Sequence, residues 1–143
     1  MKRKIFIAGL MALGVTAAIA QSNKVEQRQA LMKEMGAQSR TLGNMMRGQA
    51  PFDAAAVQAG LKVFAENADK AAPLFSDDTK GAEKTGALPA VWETKGNFDA
   101  IMAKLGQDAR TAMTTIKDDA SLKAELPKVL QNCGTCHQTY RKS

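Results

Sequence analysis

Cys133-Gly134-Thr135-Cys136-His137, close to the C-terminus, is the stretch from which the fold of this chain can be worked out. A CxxCH run is the attachment signature of c-type haem: two thiols add across the porphyrin vinyl groups and the adjacent imidazole binds iron. Spacings of three and four residues put all three side chains on one face of a helix, so a single macrocycle can take both thioethers and the axial nitrogen. Other uses of two cysteines fit less well. A thioredoxin-like pair belongs with a βαβ pattern, and nothing in the sequence alternates strands with helices. A structural zinc site needs about four ligands, whereas these are the only two cysteines and His137 is the only histidine. A disulfide between them would close almost no loop and would stabilise little.

Outward from the motif, apolar residues recur at helical spacing in four stretches. The last opens around Ser121 and carries Leu122, Leu126, Val129, Cys133, Cys136 and Tyr140 in register, so the motif lies on the core-facing stripe. Pro127 is expected to kink or restart this helix, because it lacks the donor that an interior position needs. The first helix spans about 23–47, with Val25, Arg28, Met32, Met35, Ser39, Leu42 and Met46 inward and Gly48 ending it. Asp53 is a candidate N-cap for the second, whose face holds Val57, Leu61, Phe64, Ala68 and Ala71 and which stops before Pro73. The stretch 73–87 has no period and reads as a long loop. A third helix begins near Pro89 and carries Val91, Phe98, Ile101, Leu105, Ala109, Met113 and Ile116, weakened locally by Gly96 and Gly106. Four amphipathic helices with two short connections and one long one predict an all-α, antiparallel (up-down-up-down) four-helix bundle around the haem, with no internal repeat.

The other end of the chain says where the protein works. Lys2, Arg3 and Lys4 form a basic region, 5–19 an apolar one, and Ala18-Ile19-Ala20 a small-residue cleavage site before Gln21. The apolar run is too short and wrongly flanked for a spanning helix, and no cysteine near the cut offers a lipid attachment point. Residues 1–20 are therefore read as a cleaved secretory signal peptide and 21–143 as one exported domain without a stable membrane anchor. In a Gram-negative bacterium that places it in the periplasm, where thiols are exposed to oxidation and haem attachment consumes both. Loss of Lys2, Arg3 and Lys4 reduces the formal charge from +6 to +3. Such a mild balance argues against nucleic acid and leaves room for an acidic redox partner. Aromatic content is low, with five Phe, one Trp and one Tyr, so a buried porphyrin would supply much of the apolar core. A protein without it should be loose, since a ligand that binds only the native state stabilises that state by mass action.

With these features together, the chain resembles the cytochrome c′ family, the class II c-type cytochromes, which includes low-spin, methionine-ligated members. The resemblance runs through Arg28-Gln29-Ala30-Leu31-Met32, 48–53, 89–92 and 133–141. Class I cytochromes c differ in carrying CxxCH near the N-terminus and a ligand methionine far downstream.

A single histidine rules out bis-histidine ligation within one chain and a distal histidine acting as acid or base. The sixth iron position is then open, or taken by Met, Lys, water or an exogenous ligand. The resemblance implies that Met32 is the residue facing the iron opposite His137. The pattern alone leaves its role open, because a methionine on an apolar stripe is more often core filling. Arg28, one turn earlier on the inward stripe, either snorkels to water from the end of the seam or meets a haem propionate through paired hydrogen bonds; the resemblance implies the propionate. Gln29 is implied to touch a propionate or the ring edge, and Arg141 to lie near the proximal imidazole. A solvated basic tail with Lys142 would explain Arg141 equally well.

Two functions follow from the two states of Met32. Iron bound by His137 and Met32 would be low-spin and suited to electron transfer with redox partner proteins. Iron bound by His137 alone would be five-coordinate and high-spin, open to a diatomic gas such as nitric oxide or carbon monoxide, with Met32 as a non-ligating guard. Electron transfer is the expected function, and no catalytic role is expected, since no acid, base or second cofactor accompanies the haem motif. Family members often pair through their first two helices. The outward residues here give no continuous apolar seam that decides between monomer and homodimer.

Overall fold

The computed structural model describes residues 12–143. Four long helices, α1 (Ala12–Met46), α2 (Ala54–Ala71), α4 (Lys95–Thr115) and α5 (Asp119–Tyr140), are joined by one short helix, α3 (Ala90–Glu93), ahead of α4. Helix α1 packs on α2 and α5, and α4 packs on the same two, closing a ring of four. Short connections at 47–53 and 116–118 force the helices they join to run antiparallel, which makes the up-down-up-down bundle expected from the sequence. Residues 1–11 of the expected leader lie outside the described residues, while 12–20 continue α1 at its N-terminal end.

Local chemistry explains the element ends. Arg47 closes α1 and Gly48 follows at φ 73°, with Gly48 N–H donating to the Met45 carbonyl (2.9 Å) and Gln49 N–H to that of Asn44 (2.8 Å). This pair of bonds satisfies two carbonyls that the helix leaves open, and the left-handed backbone it requires favours glycine. Asp53 caps α2 by accepting a bond from Ala56 N–H at 3.0 Å. Asp118 caps α5 in a reciprocal box: its carboxylate accepts from Ser121 N–H (2.8 Å), and the Ser121 hydroxyl accepts from Asp118 N–H (3.0 Å).

The core is the set of inward stripes. Val57, Leu61, Phe64, Ala68 and Ala71 of α2 are all buried, as are Leu122, Leu126, Val129, Cys136 and Tyr140 of α5. Gly60 lies where a Cβ would stand 3.0 Å from Leu42, which lets α1 and α2 approach closely.

Several expectations are corrected. Helix α5 runs unbroken through Pro127, which sits on the exposed face, so the Lys123 carbonyl that loses its donor faces solvent. The third helix is two: Thr94, at φ −125° and ψ 46°, separates α3 from α4, ahead of the glycine expected to weaken it. On α4 the expected face holds at Phe98, Leu105 and Ala109, but Met102 and Ala112 are fully inside and Ile101 and Met113 lie at its margins. On α1, Met45 is more deeply buried than Met46. The aperiodic stretch contains two 3-10 turns, Ala72–Leu74 and Asp77–Thr79, and buries Phe75, Thr79, Ala82 and Thr85. Its side chains fold back on the bundle one at a time, so no period betrays them.

In denaturant unfolding of the haem-loaded protein, Phe64→Ala should cost about 3–5 kcal/mol by opening a cavity at a fully buried position. Gly48→Ala should cost about 1–2 kcal/mol, since alanine must hold the same left-handed backbone.

Candidate functional site

The last two turns of α5 face the middle of α1 across a gap that the bundle does not close. A cavity of about 370 Å³ is lined from α1 by Arg28, Gln29 and Met32, from α5 by Cys136, His137 and Tyr140, and from the sides by Phe75, Ala87 and Phe98. A second, of about 90 Å³, lies deeper among Met35, Ile101, Met102, Leu105, Asn132 and Cys133. Met32, Gly36, Cys136 and His137 border both. The two chambers are therefore one slot between α1 and α5, with Met32 on one wall and the CxxCH residues on the other.

Neither cysteine is in a disulfide; Cys133 is half-buried and Cys136 buried. Burial pushes both thiols up, and with Cys133 beside it Cys136 rises to about 11. At neutral pH both are neutral thiols, unlike the activated thiolate of a redox pair. Among the described residues no three His, Cys, Asp or Glu side chains are grouped as a metal ion would need. His137 is half-buried, and burial together with the Arg141 guanidinium lowers its pKa, keeping the imidazole neutral with a lone pair available to a metal. Arg141 Nη1 lies 3.4 Å from His137 Nδ1, the nitrogen turned away from metal binding when Nε2 coordinates.

Arg28 is 3% exposed, so it does not snorkel to water. Its Nη1 donates to the Leu74 carbonyl (3.1 Å) and to Thr79 Oγ1 (2.9 Å), and its Nη2 to Thr85 Oγ1 (2.6 Å). The guanidinium also lies 4.4 Å from the Phe75 ring centroid and 5.8 Å from that of Trp92. All of these partners are neutral. A buried cation at the cavity edge without an anion is a strong feature, because desolvating it is costly unless a counter-charge arrives. Gln29 is exposed at the same edge and donates its amide to the Lys84 carbonyl at 2.9 Å.

The six residues singled out in the sequence, Arg28, Gln29, Met32, Cys133, Cys136 and His137, thus meet around one slot. Thr79, Thr85 and Phe75, which hold Arg28, were not foreseen, since polar residues in an aperiodic stretch carry no sign of burial. Trp92 lies outside the cavity lining and donates Nε1–H to the Ser76 carbonyl at 3.0 Å, steadying the same loop. Phe98 lines the slot and packs on Phe75 (4.6 Å) and edge-on to Tyr140 (5.3 Å). An apolar slot with two thiols and a neutral imidazole on one wall, and an uncompensated cation at its rim, fits a macrocycle that carries vinyl groups, iron and carboxylates.

Comparison with known proteins agrees. Residues 23–141 match the family model for cytochrome c′. A cytochrome c′ of Rhodopseudomonas palustris is 44% identical over 94% of this chain and 92% of its own. A cytochrome c-556 of the same organism is 35% identical over 99% and 97%. The solved cytochrome c′ from Rhodopseudomonas palustris superposes with a TM-score of 0.81 at 42% identity, covering 84% of this chain and 96% of that one. Oxidised cytochrome c556 from that species superposes with a TM-score of 0.78 at 34% identity, covering 85% and 98%. With its helical bundle, its slot and its CxxCH run all in agreement, this chain belongs to the cytochrome c′ family and is a c-type cytochrome with covalently bound haem c.

Proposed function

We propose that this protein is a periplasmic electron carrier in which Cys133 and Cys136 hold one haem through thioethers and His137 and Met32 bind its iron from opposite sides. The observation that carries this reading is the shared wall of the slot: Met32 is the one methionine among the described residues that borders both chambers together with His137. Met35 and Met102 reach only the deeper one. A thioether and an imidazole held by two packed helices change little when one electron arrives, so little reorganisation opposes transfer. Methionine ligation also raises the reduction potential. Arg28 is assigned to a propionate, whose carboxylate would supply the missing counter-charge to a guanidinium bonded only to neutral groups. Gln29, at the same rim, is assigned to the propionate or the ring edge.

Export and removal of residues 1–20 complete the proposal. The family match begins at residue 23, and the solved cytochrome c′ is covered over 96% of its length while 84% of this chain is used. Residues 17–20 of α1 are exposed, including the apolar Ile19 at 63%, which supports a leader that contributes nothing to the core.

Absorption spectra of the purified ferric and ferrous protein at neutral pH, with and without carbon monoxide, test the ligation. Low-spin bands indifferent to carbon monoxide are expected, and Met32→Ala should convert them to high-spin bands that respond to it. High-spin bands that shift promptly with carbon monoxide in the unaltered protein would overturn the Met32 bond and favour gas binding. Mass spectrometry of the same material should find a chain that begins at Gln21 and carries one haem. Either Cys133→Ala or Cys136→Ala should leave a single thioether, and the double variant should release its haem to acidified acetone.

A further inference from the structure

Charge is unevenly distributed around the mouth of the slot. Eight ion pairs join side chains among the described residues, and Lys33, Lys84, Arg141 and Lys142 take part in none of them. All four are exposed. They come from three separate parts of the chain and meet at one place. Lys33 of α1 and Arg141 line the cavity itself. Lys84 is tied to the rim through its carbonyl, which accepts the Gln29 amide. Lys142 is held by its backbone N–H on the Gly86 carbonyl (2.9 Å) and by Nζ on the Thr85 carbonyl (3.0 Å). No carboxylate lines the cavity. Glu83 is the acidic neighbour of Lys84, and it makes no ion pair with any of the four.

Lys84 adds an independent sign. Its φ of 62° makes it the only non-glycine in the left-handed region among the described residues. Glycine would adopt that backbone more easily, so the tip of the loop keeps a long cationic side chain at a conformational cost. By contrast, the cations along the outer faces of α2, α4 and α5 are paired with carboxylates, mostly one turn away.

We propose that the cationic rim formed by Lys33, Lys84, Arg141 and Lys142 is the docking surface for an acidic redox protein, which it seats over the edge of the slot. This rests on the electron-carrier reading above and names its partner by charge. Like charges held together without a carboxylate in ion-pair contact concentrate positive potential at the point where an electron must enter or leave. That potential speeds encounter with an anionic partner and weakens with salt. The step is a single electron passing from the reduced partner to ferric haem, giving ferrous haem and the partner oxidised by one electron.

Flavodoxin, a small acidic one-electron carrier, is a suitable probe, with the haem-loaded protein used throughout. Oxidised flavodoxin titrated into the ferric protein should shift amide resonances at the rim, and the affinity should fall steeply as ionic strength rises from about 10 mM to about 0.5 M. At low salt, Lys33→Glu/Lys142→Glu should weaken binding and slow reduction by flavodoxin hydroquinone by roughly tenfold. Lys117→Glu/Lys123→Glu, with the same net change at the far end of the bundle, should have little effect. Lys84→Gly should retain or raise thermal stability and still lower the affinity. Hexaammineruthenium(II), a cationic reductant, should respond in the opposite sense and reduce the rim variant faster. Equal losses in the rim and far-end variants, or binding indifferent to salt, would overturn the docking surface alone if hexaammineruthenium(II) still reduces the haem. Failure of both reductants would overturn the electron-carrier reading and the docking surface with it.

Discussion

The inward stripe of α5 has to serve two ends at once, and the rest of the structure is arranged around that constraint. Leu122, Leu126 and Val129 lock the first half of the helix into the core, while the same stripe one turn further on presents Cys133, Cys136 and His137. A helix gives these residues a common face, but a face needs a gap to look into. Helix α1 supplies it by turning Met32 and Gly36 toward α5, where a pair of large side chains would have closed the seam. The bundle is thus complete at the end where α4 turns into α5 and open at the end that carries the chemistry.

Keeping that end open without losing order falls to the loop between α2 and α3. Arg28 reaches out of α1 and gathers Leu74, Thr79, Thr85 and Phe75 around its guanidinium. The C-terminal tail closes on the far side of the loop, with Leu88 N–H on the Tyr140 carbonyl at 2.8 Å and an antiparallel bridge between Ala87 and Arg141. Helix α1, the loop and the tail are consequently fixed to one another at the rim of the slot. The same attachments bring Lys33, Lys84, Arg141 and Lys142 together, so ordering the rim and charging it are done by one set of residues.

Much of the site follows from spacing. CxxCH on a helical stripe needs no tertiary information to place two thiols and an imidazole on one face, and the 3.6-residue period that marks them as inward also marks Val57, Leu61 and Phe64 as their core. Asp53 and Gly48 are recognisable for the same reason: a cap and a left-handed stop act within a few residues of themselves. Pro127 does not restart the helix, because the effect of a proline depends on which face it occupies. At a solvent-facing position the lost hydrogen bond leaves a carbonyl that water can satisfy. Phe98, Leu105, Ala109 and Ile116 are buried in register with Val91, and the expectation fails only where gaps of three and four both fit a 3.6-residue period: Met102 and Ala112 take the buried positions instead of Ile101 and Met113.

The sequence by itself therefore determined what is local: four amphipathic helices, their stops, and a haem-attachment face on the last of them. Periodicity and capping act between residues a turn apart, and those distances are written in the order of the chain. Only the tertiary structure decided what depends on residues remote in sequence. The burial of Arg28 among neutral loop partners, the joining of two chambers at Met32 and His137, and the gathering of unpaired cations at one rim all arise where α1, the 72–87 loop and the C-terminal tail meet. No period links those segments. Their association is set by side chains that find charge, hydrogen-bonding and ring partners more than forty positions away.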